Sequence, residues 1–171
     1  AGGRVGQADL GVRLLTTSDA SEARDISAEL DRLNEERRAI EAAVTEQALE
    51  MSEGTANAPI AIVSAPGWHP GVIGIVAGRL KEKLRRPAIV IALDEDGVGK
   101  GSGRSIPGVD LGGAIIAARD AGLLVAGGGH AMAAGLTVAA GGVPALTQWL
   151  ADRLERDVTA AQGARALSLD V

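Results

Sequence analysis

Two short, largely apolar runs constrain the fold most: Ile60 to Ala65, broken only by Ser64, and Ala88 to Leu93. Both are of strand length and rich in β-branched residues. Between them lies enough chain for one helix, starting near Gly71, running to about Arg86 and stopped by Pro87. Asp94-Glu95-Asp96-Gly97 then reads as a hairpin turn into a glycine-rich third strand, Val98 to Arg104. That hairpin requires at least one antiparallel pair. Asp110 suits the N-cap of a helix reaching about Arg119. Ala134 to Ala139 reads as a fourth strand, and Val143 to Val158 as a helix with Leu146, Leu150 and Leu154 on one face. Ala166 to Val171 is apolar enough for a strand or is a tail. Strands alternating with helices predict an α/β domain over residues 59–171, a mixed sheet flanked by helices.

The preceding chain has a different pattern. Residues 1–18 are short and mixed, with a helix or buried turn over Ala8 to Leu15. Asp19 and Glu22 fit a capping box, Asp accepting from the first turn and Glu reaching back. A long helix follows, roughly Ser21 to Met51. Ile26, Leu30, Leu33, Ile40, Val44 and Met51 form a seam near period 3.5, interrupted by Arg37 and Gln47. A helix connecting two domains has this pattern, and so does one strand of a coiled-coil dimer. Ser52 to Pro59 breaks it as a linker. Residues 19–58 are thus a long connecting helix and linker.

Composition limits the chemistry. There is no Phe and no Tyr, and the tryptophans are Trp68 and Trp149, so the core must be built from Ala, Val, Leu and Ile. With 171 residues the chain can bury a real core. No cysteine is present, which excludes disulfides and thiolate metal sites. No apolar run reaches the ~18 residues of a membrane helix, and no signal-peptide pattern opens the chain. It begins Ala1-Gly2-Gly3-Arg4 and reads as a piece of a longer protein. A formal net charge of −5 excludes binding nucleic acid by bulk electrostatics. Any such contact must be a local site of arginines and backbone amides.

Three stretches could form one. Ala126 to Gly135 contains Gly127-Gly128-Gly129-His130. As a turn, its bare backbone would let N–H groups converge on an anion; it would equally serve as a tight connection between two buried elements. Gly67-Trp68-His69-Pro70-Gly71-Val72-Ile73-Gly74 lies between a strand and a helix, where α/β folds place ligands. There Trp68 can stack on a base or cover the core, and His69 can donate to phosphate. Arg79, Lys83 and Arg86 follow on one helix face, and Arg79 is the candidate among them. Lys100-Gly101-Ser102-Gly103-Arg104-Ser105 places an arginine fork among small residues, or marks a bulged strand with a surface arginine. Two histidines without an acidic cluster make no metal centre, and no nucleophile triad or Walker loop is readable. No catalytic or metal-ligating residue is assigned to this stretch.

These motifs resemble the C-terminal part of DHH-family phosphoesterases. The tryptophan-histidine stretch through Gly78-Arg79-Leu80 is similar to the RecJ exonucleases of that family in particular. Gly101 to Ser105 and Gly127 to Gly135 resemble the DHH-associated substrate-binding domain. Asn34 to Arg38 resembles the interdomain helix, and Ala1 to Arg4 the end of a motif closing the catalytic domain. The resemblance implies a metal-dependent 5′→3′ single-stranded DNA exonuclease of the bacterial cytoplasm. It implies Mn2+ or Mg2+ held by an N-terminal DHH domain, which would be the partner of this one. Residues 1–18 would be the tail end of that domain. By the same resemblance Arg104, Ser105, Gly128, Gly129 and His130 contact substrate, with Trp68, His69 and Arg79 in second rank. The alternative is a nucleotide-binding module of another DHH-associated protein: an oligoribonuclease, a cyclic-dinucleotide phosphodiesterase or an alanyl-tRNA synthetase tail.

Overall fold

The computed structural model describes residues 9–167, which form five helices and one five-stranded sheet. The chain divides into two compact units, 1–43 and 44–171. In the first, helix α1 (Leu10–Thr16) packs Leu10 and Leu14 against Ile26, Leu30 and Leu33 of helix α2 (Ala20–Glu53). Asp19 caps α2, its Oδ1 accepting from the backbone of Ser21 at 2.7 Å. Glu22 does not complete the capping box. Its carboxylate instead takes hydrogen bonds from the Thr17 hydroxyl at 2.6 Å and the Arg13 guanidinium at 2.9 Å, which draw it below the usual carboxylate pKa. Ala1 to Arg4 lies outside the described residues.

The seam along α2 departs from the expected series at its end. Val44, Ala48 and Ser52 are buried, whereas Met51 is 42% exposed. A straight α-helix repeats every 3.6 residues, so a step of four keeps Ser52 on the packed side and a 3.5-residue count drifts off it. The interruptions have partners. Arg37 pairs with buried Glu41 and donates to Asn34, and Gln47 accepts from the Trp68 indole.

In the second unit the sheet order is β1-β2-β3-β5-β4, from β1 (Ala61–Pro66), β2 (Ala88–Leu93), β3 (Gly99–Arg104), β4 (Ala126–His130) and β5 (Ala133–Val138). β1 and β2 are parallel, and the remaining pairs are antiparallel. Helix α3 (Ile73–Leu84) makes the crossover, helix α4 (Leu111–Asp120) precedes β4, and helix α5 (Val143–Leu167) ends the described chain. Asp110 caps α4 as expected, accepting from Gly113 N–H at 2.9 Å. α5 outruns the expected Val158, and Ala166 and Leu167 are helical; the rest of that stretch lies outside the described residues.

Alternation along the strands gives the sheet two different faces. On one, Ile89, Ile91, Leu136 and Val138 pack against Leu111 and Ile115 of α4 and Leu146, Leu150 and Leu154 of α5. The β3 residues on this face are Gly99, Gly101 and Gly103. A Cβ at these positions would meet Ile91, Leu136 and Leu111 at 2.6 to 2.7 Å. The glycines of β3 therefore admit large aliphatic neighbours; they do not mark a bulge, since the β2 and β5 registers run unbroken through them. The opposite face carries Lys100, Ser102 and Arg104, and the first turn of α3 lies against it.

Two further local expectations are corrected. The glycine–histidine stretch is not a turn: Ala126 to His130 is edge strand β4, and Ala131-Met132 makes the turn. In a strand, successive N–H groups point to opposite sides, so they cannot converge on one anion. Nor does Arg86 share a helix face with Arg79. α3 ends at Leu84, Arg85 takes a left-handed conformation (φ 55°), and Arg86 is 4% exposed. Its Nη1 donates to the linker carbonyls of Thr55 at 2.6 Å, Ala56 at 3.0 Å, and Ala58.

Candidate functional site

The polar face of β3 is a candidate site because its neighbours are small. Arg104, Ala133 and His130 form one row across β3, β5 and β4, and Ser102, Gly135 and Gly128 form the next. Directly opposed residues of antiparallel strands share a face. Nothing lies within 4 Å of a Cβ built on Gly128, and Gly135 is exposed, so the sheet backbone itself is the floor.

Arg104 is half-buried at the edge of this floor. Its Nη1 donates to the Ser102 hydroxyl at 3.1 Å and to the Gly103 carbonyl at 2.8 Å. Its Nη2 would lie 3.0 Å from a Cβ on Gly74, so the guanidinium rests in the first turn of α3 because that residue is glycine. No side chain caps α3. Its first N–H groups and the positive end of its dipole stand beside the guanidinium. Among the described residues no carboxylate pairs with Arg104, whose hydrogen bonds go to neutral oxygens. A guanidinium and an uncapped helix start over a backbone floor attract an anion with forked acceptor geometry.

His130 stands at the far end of the Arg104 row, two strands away, about 10 Å by strand spacing. It is exposed, and its Nδ1 accepts from Met132 N–H at 3.2 Å. A nitrogen that accepts carries no proton, so the neutral ring holds its proton on Nε2. His69 is arranged alike: its Nδ1 accepts from Gly71 N–H at 3.0 Å, and Nε2–H is left to donate outward.

The backbone beneath His130 is fixed. Leu111 N–H donates to Ala131 O at 3.1 Å, and Ser105 N–H to Met132 O at 3.0 Å. A Cβ on Gly112 would come within 2.7 Å of the His130 carbonyl, so α4 starts directly against the strand end. Gly127 packs against Ile115, and a Cβ on Gly129 would fall on the Ala133 carbonyl oxygen.

The structure thus brings Arg104, Gly128 and His130 to one open face, with Gly129 between the last two on β4. Ser105 is turned away: its hydroxyl is buried and donates to the Val109 carbonyl at 2.8 Å. Trp68 is 6% exposed, its Nε1 held by Gln47 Oε1 at 2.6 Å. Arg79 is exposed, and it lies about 140° around α3 from Gly74. Sequence reasoning passed over Ser102 and Lys100 as site residues. Their signal was the alternation Lys100, Ser102, Arg104 with glycines between, which puts all three on one face once the segment is a regular strand.

Comparison with known proteins fits this geometry into a family. Residues 57–156 match the DHHA1 domain. RecJ of Bacillus subtilis, a single-stranded-DNA-specific exonuclease, is 44% identical over 159 residues, 92% of this chain and 20% of that protein. RecJ of Dickeya dadantii is 42% identical over 145 residues, 81% of this chain and 25% of that protein. The crystal structure of RecJ in complex with Mg2+ from Thermus thermophilus superposes with a TM-score of 0.79 at 34% identity, covering 91% of this chain and 24% of that one. Exonuclease RecJ bound to manganese gives 0.78 at 34% identity, covering 92% and 39%. The chain therefore spans 20 to 25% of the length of these curated relatives. The chain belongs to the DHHA1 domain family and is homologous to the DHHA1 region of the RecJ exonucleases.

Proposed function

We propose that this chain is the substrate-binding part of a RecJ-like, metal-dependent 5′→3′ exonuclease acting on single-stranded DNA. In this reading residues 59–171 hold the DNA backbone, 19–58 connect to an N-terminal DHH domain, and 1–18 are the tail end of that domain. The observation carrying the proposal is Arg104. It is a half-buried guanidinium aimed into an uncapped helix start, beside a floor left bare at Gly128 and Gly135 and without a carboxylate partner among the described residues. Arg104 and Ser102 hold one phosphate there. Gly128 and Gly129 let the strand lie on the sheet, and His130 Nε2–H donates to a neighbouring phosphate. Ser105 acts through the backbone it fixes, Trp68 sets the loop that presents His69, and Arg79 meets phosphates farther along. Mn2+ or Mg2+ belongs to the DHH domain in this reading. The donor set here does not fit a metal, since among the described residues no three His, Cys, Asp or Glu side chains come together.

The test is made in a protein that carries the DHH domain. Donors aimed at charge that develops in the transition state can each contribute about 10²–10³ in turnover. Arg104→Ala and His130→Ala are expected to depress cleavage of single-stranded DNA by about that factor with melting temperatures close to wild type. Near-normal turnover per folded molecule would remove that residue from the site.

A further inference from the structure

A cavity of about 430 Å³ opens beside the phosphate site, at the carboxyl ends of β1 and β2. Its origin lies in residue size. Ala65, Ala92 and Lys100 form one row on the polar face of the sheet, just beyond the start of α3 at Ile73. Ala92 is small and lies beyond the start of α3, which leaves a hollow with the Pro66–Pro70 loop as its wall. The loop is held by the Trp68–Gln47 and His69–Gly71 hydrogen bonds, so the hollow is preformed. Its volume lies within the roughly 300–1,000 Å³ of small-ligand sites.

We infer that this cavity is a nucleobase subsite of the substrate path, a reading that rests on the phosphate site proposed above. Pro70 and Trp68 give it an apolar wall suited to the flat face of a base, and Pro66 and Leu93 border it at the strand ends. Asp94 and Glu95 stand at its rim, exposed. Carboxylates repel phosphate, so the backbone stays on the Arg104 side and the base turns inward. They also accept hydrogen bonds from exocyclic amino groups. Lys100 and His69 Nε2–H supply donors at the same rim for ring and carbonyl acceptors. Ser102, which shares the phosphate with Arg104, is two residues from Lys100 on β3, about 7 Å along the strand. One nucleotide reaches from one to the other.

The experiment titrates this chain with 5′-phosphorylated tetranucleotides, intact or carrying one abasic residue at the first or second position. Intact DNA is expected to bind at least about fivefold tighter than one of the abasic ligands. Ala92→Leu, which fills the floor of the hollow, should erase that preference without changing affinity for the abasic ligand. A tetranucleotide bearing 4-thiothymidine should photocrosslink within residues 66–70 or 92–100, a readout that does not depend on the variant folding. Equal binding of intact and abasic DNA, or crosslinks confined elsewhere, overturns the base subsite. If Arg104→Ala still weakens binding in that case, the phosphate site survives; if Arg104→Ala leaves every ligand unaffected, both readings fall.

Discussion

At the scale of single residues, the cations of this chain divide by what surrounds them. Arg104 rests among neutral partners and faces an open floor, so its charge is available to a ligand. Arg86 is spent inside the protein. Burial lowers its pKa, and its guanidinium ties together the linker carbonyls of Thr55, Ala56 and Ala58. Removing a buried donor leaves acceptors unsatisfied, at about 1–3 kcal/mol each. Arg86→Ala is therefore expected to lower unfolding free energy by roughly 3 kcal/mol or more in a urea melt, while a truncation at exposed Arg85 changes little. A melt indistinguishable from wild type would mean that the linker is held by other contacts.

At the scale of elements, β4 turns on what each glycine touches. Gly129 has φ +156°, and a side chain there would meet the Ala133 carbonyl. Gly128 has open space where its side chain would be. Gly129→Ala should thus cost about 1–3 kcal/mol in stability by straining the backbone. Gly128→Ala should leave stability within about 0.5 kcal/mol yet weaken DNA binding, because a methyl group would rise from the floor. Thermal melts of both variants beside a binding titration separate the two. The opposite order of stabilities would mean that Gly128, not Gly129, lies against β5.

At the scale of the whole molecule, the matched relatives are about three to five times as long, and the described residues form no acidic metal cluster. We expect the 171-residue chain alone to leave single-stranded DNA uncut in the presence of manganese. Chelator-sensitive cleavage that follows the purified chain and disappears with His130→Ala would contradict this. With a net charge of −5 and few clustered cations, binding should be weak. Its logarithm should fall with log salt at a slope near −1 to −2, as for about two phosphate contacts on a single strand. A much steeper slope would reveal a cationic path that these residues do not display.

The sequence by itself determined the alternation of strands and helices. Apolar runs of β-branched residues, Pro87 and the Asp110 cap act through local sterics and hydrogen bonds that need no distant partner. It also marked Arg104 and His130 as candidates by residue type and motif. Which way the glycines faced was decided by tertiary structure alone. Gly99, Gly101 and Gly103 are bare because Ile91, Leu136 and Leu111 arrive from other elements. The triple glycine became an edge strand because β5 pairs with it and α4 closes against its end. Arg86 was buried by a linker some thirty residues away, and Trp68 by Gln47 on a separate helix. No periodicity within one segment encodes such meetings, since they depend on the size and position of atoms far along the chain.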